Sequence, residues 1–190
     1  TDGRAALTPP ADSTTFAMTL NSLVPLQTRR SGRDNREGID FTMTQWYPKI
    51  AEYDERGWHA DPYVNREFYA PFGTFDVRIT LPAQYTVGAT GLLQNPDEVG
   101  HGYDLAGSGT WRPEDGIPEA DSLTWHFVAE NVHDFAWAAD PDYVHDKVEA
   151  DGTTHHILYK PNVADSWARL ANDMPRLTRY FNQELGAYPY

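Results

Sequence analysis

The fold is decided by two stretches of alternating sequence, FDVRITL at residues 75–81 and LTWHFVA at residues 123–129. In both stretches an apolar side chain stands at every second position. Because successive side chains of a β-strand point to opposite faces, each stretch predicts a strand with one face buried. The sequence therefore predicts a mainly β fold.

Weaker signals lie on either side of these two strands. Apolar residues also alternate along residues 16–20, and residues 85–93 form another candidate strand in which two glycines suggest bulges or a close approach of another backbone. The Asp-Gly pair at residues 151–152 separates two β-capable runs and predicts a hairpin turn. Residues 95–120 are rich in Gly, Pro, Asp and Glu, and we expect a long surface excursion there.

The pattern changes to a helical one near the C-terminus. Apolar side chains recur at spacings of three and four from Trp167 to Leu185, which predicts an amphipathic helix. Pro175 lies inside this stripe and costs an interior helix about 3 kcal/mol, so we expect a kink, or a break with Asp173 capping a second helix. Gly186 is expected to end the helix.

Composition excludes several classes of protein. The 190 residues are 40% hydrophobic and 13% aromatic, which excludes a disordered chain, and their apolar runs are too short for a membrane span. A net charge of −13 opposes binding to nucleic acid. There are no cysteines, so the chain has neither disulfides nor thiolate metal sites. The compartment stays undecided, with an extracytoplasmic or secreted location as the working expectation.

Histidine spacing gives no metal site by itself. Zinc peptidases commonly place two histidines one helical turn apart with a glutamate between them, and the motif H-E-x-x-H does not occur here. His155 and His156 are adjacent in a predicted strand and would point to opposite faces. We therefore expect this chain to hold no zinc.

Two segments pair aromatic residues with proline. They are Trp46-Tyr47-Pro48 and the stretch from Trp58 to Tyr63. Such segments form rigid recognition surfaces, or they close the open end of a β-sandwich core, and the residues alone do not decide between these roles. One function that follows is a non-catalytic β-sandwich module that binds carbohydrate or peptide on Trp46, Trp58 and Tyr63. Another is a structural interaction domain whose aromatics are all core.

The same segments carry a family resemblance. The stretches TQWYPK (44–49), GWH (57–59), DPY (61–63), WHFVAENVHDFAWAADPD (125–142) and GAYPY (186–190) resemble the aminopeptidase N / leukotriene A hydrolase family of zinc metallopeptidases, in particular a bacterial branch of it. The resemblance covers about residues 31–190.

That resemblance implies a saddle-like β-sandwich N-terminal domain at residues 1–145, possibly without its first strands. Residues 146–190 would be the start of a thermolysin-like catalytic domain, including its first helix. The chain ends before the family's zinc motif, so the parent protein would be the zinc-dependent aminopeptidase and this part alone would be inactive. The implied partners are the parent's own catalytic domain and a peptide substrate.

The resemblance also implies two substrate-binding residues. In this family a Q-x-E-P-like loop holds the free amino group of the substrate, and here the loop reads Gln45-Trp46-Tyr47-Pro48. Gln45 matches the family pattern, whereas Tyr47 replaces an acidic or amide residue and lacks the strength of a charged acceptor. If the loop is extended, Gln45 and Tyr47 face the substrate and Trp46 faces the core.

Overall fold

A computed structural model describes residues 15–62 and 69–189. Strands make up 34% of the structure and helices 18%, and the strands form several antiparallel sheets without a closed barrel in the part described. The prediction of a mainly β fold is confirmed. None of the described helices is long and apolar enough to cross a membrane.

The longest strand pair is the one that the alternating stretches predict. Strand β5 (Gly73–Pro82) runs antiparallel to β9 (Ser122–Val132), with Ile79 opposite Trp125. The short strand β7 (Leu92–Leu93) pairs with the other edge of β9. The apolar face of this sheet is buried, and Trp125 is 0% exposed. Burial of one face is what the alternation requires.

A second sheet has the strand order β1–β2–β10–β6. Its strands are β1 (Gly32–Arg33), β2 (Phe41–Met43), β6 (Thr86–Ala89) and β10 (Trp137–Asp140). Val87 and Ala139 of this sheet join Trp125, Phe127 and the loop residue Phe135 in one buried cluster. The two sheets therefore share a hydrophobic core.

A third sheet carries the C-terminal helix. Its order is β12 (Thr153–Tyr159), β11 (Val144–Ala150), β8 (Gly109–Trp111), and helix α3 (Leu170–Leu185) contacts β11 and β12. Asp151 and Gly152 join β11 to β12 with φ angles of 52° and 79°. Two positive φ values are typical of a type I′ hairpin turn, so the predicted hairpin is confirmed.

Shorter elements lie outside these three sheets and helix α3. Strands β3 (Tyr53–Asp54) and β4 (Gly57–Trp58) form a separate two-stranded ribbon. Helix α1 (Pro96–Val99) lies between β7 and β8, and helix α2 (Ala164–Trp167) directly precedes α3. The predicted domain boundary after residue 145 falls inside β11, and β11 pairs with β8 through His145 opposite Trp111.

Three expectations about strands and loops are wrong. Residues 16–20 form no strand, because no described strand lies beside them and a lone strand is not stable. Residues 85–93 belong to two strands in different sheets, separated at Gly91, which has a φ of 92°. Residues 95–120 are not a surface excursion, because Tyr103 and Trp111 within them are 8% and 6% exposed.

The helix prediction is partly wrong. Helix α3 runs without a break from Leu170 to Leu185 and contains Pro175, so Asp173 caps no second helix. Trp167 belongs to α2 instead. The predicted end of the helix is confirmed, since Gly186 follows it with a φ of 101°, a conformation open to glycine.

Candidate functional site

The loop predicted to bind substrate follows β2 and is held firmly on its N-terminal side. The Ser31 hydroxyl accepts a hydrogen bond from the Thr44 backbone N–H at 2.8 Å and also contacts the Thr44 carbonyl. The next residue, Gln45, has a φ of 52°. A positive φ is uncommon outside glycine, and here it turns the chain sharply between two fixed points.

On its C-terminal side the loop is held by residues 134–135. The indole N–H of Trp46 donates to the Phe135 carbonyl at 3.1 Å, and the Tyr47 hydroxyl donates to Asp134 Oδ1 at 3.0 Å. Lys49 Nζ lies 3.4 Å from Asp134 Oδ2. One carboxylate thus connects two residues of the loop to the segment between β9 and β10.

Aromatic packing adds to these polar contacts. The Tyr47 ring meets Trp46 and Phe75 edge-on, with centroids 5.4 Å and 5.6 Å away, and Trp46 meets Trp137 at 6.3 Å. Burial, followed by the hydrogen bond to Asp134, raises the pKa of Tyr47 well above its usual range. The phenol is therefore neutral at physiological pH and keeps a lone pair that can accept one further hydrogen bond.

The expected alternation of faces along the loop is wrong. Trp46 packs against the core cluster as expected, but Tyr47 packs against the same cluster, so these two side chains do not alternate. Gln45 is half-buried, and its side-chain amide forms no hydrogen bond to a described residue. The backbone at Gln45 is therefore fixed while its side chain makes no hydrogen bond to a described residue, and the Tyr47 hydroxyl is already hydrogen-bonded to Asp134. Their roles in substrate binding stay predictions.

Of the three residues proposed as an aromatic platform, the structure describes Trp46 and Trp58. The Trp46 ring packs on the core cluster. Trp58 is 41% exposed and meets Tyr53 edge-on across the β3–β4 ribbon, with centroids 5.0 Å apart. Tyr63 lies outside the described residues.

Sequence reasoning missed the residues that hold the loop. Asp134 and Phe135 lie 87 and 89 residues away from Tyr47 and Trp46 in the chain. Asp134 stands in the quoted stretch WHFVAENVHDFAWAADPD, but no spacing rule links it to the loop. Only the fold brings β2 beside β10, through the register Trp137 opposite Met43.

Three histidines form a second polar cluster, which the sequence did not indicate. His145 Nδ1 lies 2.8 Å from the His101 carbonyl, and a carbonyl can only accept, so Nδ1 carries the proton. His145 Nε2 then accepts from His156 Nδ1–H at 2.9 Å. His101 lies 3.0 Å from the Ala83 carbonyl through Nε2 and 2.8 Å from the Thr86 hydroxyl through Nδ1. The two carbonyl contacts therefore place a proton on His145 Nδ1 and on His101 Nε2.

Burial is the main reason why the pKa values of these three histidines are lowered. It lowers the pKa of the 1% exposed His101 to about 4. The pKa of His156, which keeps an exposed side, is also lowered by desolvation and by the neighbouring His145. The pKa of His145 is lowered for the same first reason. His155 points the other way from the strand, as expected, and is 8% exposed. Within residues 15–62 and 69–189, no three His, Asp or Glu side chains are placed to hold one metal ion.

Comparison with known proteins assigns no family. No family description, curated protein or solved structure matches the chain. Any function therefore has to be argued from the sequence resemblance and from the geometry of the loop.

Proposed function

We propose that this chain is the non-catalytic N-terminal portion of a zinc-dependent peptidase, an aminopeptidase. In this proposal the first two sheets form the saddle-like β-sandwich domain of the family that the sequence resembles. The β11–β12 hairpin and α3 begin its thermolysin-like catalytic domain. The role of the chain is to pack on that domain and to shape the pocket for the substrate N-terminus.

The observation that carries the proposal is the way in which the loop holds Gln45. Its neighbours are fixed by Ser31 on one side and by Phe135 and Asp134 on the other, and Gln45 itself has the positive φ of 52°. Unusual backbone geometry that is fixed by its surroundings is common at binding sites. A polar side chain that has no hydrogen-bond partner among the described residues, presented from such a backbone, is suited to bind a ligand.

The chemistry of the loop fits a substrate amino group. The amide oxygen of Gln45 can accept a hydrogen bond from an ammonium, and a hydrogen bond to a charged group contributes about 1.5–3 kcal/mol. The Tyr47 hydroxyl donates its hydrogen bond to Asp134, so its oxygen can only accept a hydrogen bond from a ligand. The Tyr47 side chain and the backbone at Gln45 are already held in place, so binding would have to order only the Gln45 side chain, which keeps the entropic cost low.

Zinc in this proposal belongs to the catalytic domain of the parent protein. The described residues contain no donor set for it, so we derive no catalytic step from this chain. When bound by the parent, zinc would polarise the scissile carbonyl and activate a water molecule.

The proposal is tested first on the gene and on the isolated chain. Coding sequence downstream of residue 190 should contain H-E-x-x-H, and its absence from the full reading frame would contradict the proposal. The isolated chain should cleave no aminoacyl or peptide substrate and should hold no stoichiometric zinc after dialysis. Zinc retained near one per chain, or chelator-sensitive turnover, would show that the catalytic centre lies in this chain.

A second candidate is the carbohydrate- or peptide-binding module without an enzymatic parent. The half-exposed Trp58, edge-on to Tyr53, is the observation that favours it. The core packing of Trp46 leaves this platform smaller than the sequence suggested. Titration of oligosaccharides while tryptophan fluorescence is followed, with Trp58→Ala as the control, separates this candidate from the peptidase.

A further inference from the structure

Strand β12 is an unusually unprotected sheet edge. All seven of its residues pair with β11, and within the described chain no strand pairs with its other side. Exposed edges are normally protected by charged residues, by proline or by bulges. The sequence of β12, TTHHILY, has no Asp, Glu, Lys, Arg or Pro. The edge strand β5, in contrast, carries Asp76 and Arg78 and ends in Pro82.

A groove of about 300 Å³ runs along this edge. It is lined by residues 153–157 of β12, by Met174 and Thr178 of α3, and by Tyr188. Because consecutive residues of a strand point to opposite faces, a groove lined by five of them in succession lies on the edge of the strand. We call it the edge groove.

Two features make the edge groove suited to an incoming strand. His155 lines it and is 8% exposed, yet its Nε2 atom has no hydrogen-bond partner among the described residues. Buried polar atoms in native structures usually have one. On the helix side, Leu177 and Phe181 are 44% and 45% exposed and lie one turn apart on the stripe that includes Met174. An incoming strand would have an apolar wall on one side.

The same chain contains an apolar alternating segment without a sheet. Phe16, Met18 and Leu20 are 56%, 67% and 55% exposed. No backbone hydrogen bond joins residues 15–24 to the rest of the described chain, and the first anchor is the Pro25 carbonyl, which accepts from Arg33 N–H at 2.8 Å. The segment has the alternation of a strand but no partner strand.

We propose that residues 15–21 of one copy of this chain add as a β-strand to β12 of a second copy. Phe16, Met18 and Leu20 would face the apolar wall of α3. Backbone hydrogen bonds along an edge supply affinity, and alternate side chains supply specificity, as in known strand additions. Since each copy has one segment and one groove, exchange between two copies can close into a symmetric dimer.

Charge favours this occupant. The chain has a net charge of −13, so most of the surface of a second copy would be repelled. Residues 15–28 contain no Asp, Glu, Lys or Arg, and neither do the residues that line the edge groove. The contact therefore brings together the uncharged parts of two acidic molecules. Added salt should strengthen the association, because it screens the long-range repulsion.

The test is the oligomeric state of the isolated chain, measured by sedimentation velocity over a series of concentrations and at two salt concentrations. The wild type should form a dimer whose population rises with protein and with salt. Met18→Lys should raise the dissociation constant at least tenfold, which is about 1.4 kcal/mol. The matched control Thr19→Lys adds the same charge to the opposite face of the segment and should leave dimerisation largely intact.

A second variant tests the groove. Thr153 is half-buried and lies on the same face of β12 as Ile157, which packs against α3. Thr153→Lys therefore places an inward-pointing charge on the edge, one of the devices that protect natural edges, and should also give a monomer. In the wild-type dimer, amide exchange should slow at residues 15–21 and 153–157 together. A wild type that stays monomeric at high concentration would overturn the proposal. A dimer that survives Met18→Lys would also overturn it. So would a dimer that is broken by Phe181→Lys on α3 but by neither of the other two variants, because it would then form through the helix and not through strand addition.

Discussion

Protonation of His101 should make this protein sensitive to mild acid. The imidazole is 1% exposed, and it packs against the rings of Trp111 and Trp125 with centroids 4.7 Å and 5.4 Å away. Burial lowers its pKa from 6.5 to about 4, against smaller opposing effects of the Ala83 carbonyl and of Asp104. The folded state therefore favours the neutral ring.

The sign and size of the effect follow from linkage. Below pH 6.5 the unfolded chain takes up a proton at this position that the folded chain does not, so stability falls as the pH falls and levels off below about 4. Relative to neutral pH, the loss from His101 alone is about 2 kcal/mol at pH 5 and about 3 kcal/mol at pH 4. A marginally stable domain would lose much of its stability.

The assay is the free energy of unfolding in urea, measured between pH 7 and pH 4 for wild type and His101→Gln. The variant should be less stable at pH 7, because it loses ring packing. Between pH 7 and pH 5 its free energy of unfolding should fall by about 2 kcal/mol less than that of the wild type, and between pH 7 and pH 4 by about 3 kcal/mol less. His133→Gln, at an exposed position, is the matched control and should follow the wild type. Direct NMR titration of the wild type covers the case in which His101→Gln does not fold. A His101 that titrates near pH 6.5 would refute the reasoning.

Two further predictions concern stability and use urea unfolding with matched controls. Gly91→Ala should cost about 1–3 kcal/mol more than Gly107→Ala: both glycines have positive φ, but only at Gly91 would a Cβ lie within 3 Å of the backbone of β9. Equal losses would contradict the predicted clash. Lys160→Met should cost about 3–5 kcal/mol, because it leaves the fully buried Asp140 without its cation at 2.6 Å. Asp142→Asn is the control: it removes the other partner of Lys160, which is 67% exposed, and should cost under about 1 kcal/mol. If Asp142→Asn cost as much as Lys160→Met, the importance of the buried pair would be contradicted.

The strands that the sequence predicted best have one buried face and pair with a long neighbouring strand. FDVRITL and LTWHFVA pair along nearly their whole length, so local alternation and tertiary burial agree. The Asp151-Gly152 hairpin was predictable for a similar reason, since the turn requires positive φ at adjacent positions. These features depend on neighbours in the sequence or on a simple period.

The remainder depended on contacts that no local pattern records. Residues 16–20 have the alternation of a strand and lack a described neighbour, so pattern alone overpredicted. Residues 95–120 have the composition of a loop, yet Tyr103 and Trp111 bury themselves beside His101 and His145. The average composition of a segment does not reveal that a few of its residues are buried in the core.

The candidate site was predictable only as a position in the chain. The resemblance indicated Gln45 and Tyr47, but the geometry of the loop depends on the turn at Gln45 and on Asp134, far away in sequence. A positive φ at a non-glycine residue has no reliable sequence signal, because surrounding contacts impose it.

The central claim, that Gln45 binds the free amino group of a peptide for a zinc peptidase, is tested most directly on the full-length protein encoded by the gene. The measurement is kcat/KM for a peptide with a free N-terminus and for its N-acetylated form. Gln45→Ala should lower kcat/KM for the free peptide by roughly ten- to a hundredfold and leave the acetylated one nearly unchanged, as expected when a hydrogen bond to a charged group is lost.

Gln94→Ala, at an exposed glutamine of another loop, is the control and should leave both values at the wild-type level. An active peptidase in which Gln45→Ala changes neither value would contradict the role of the loop. A full-length protein that hydrolyses no peptide would contradict the proposed function itself.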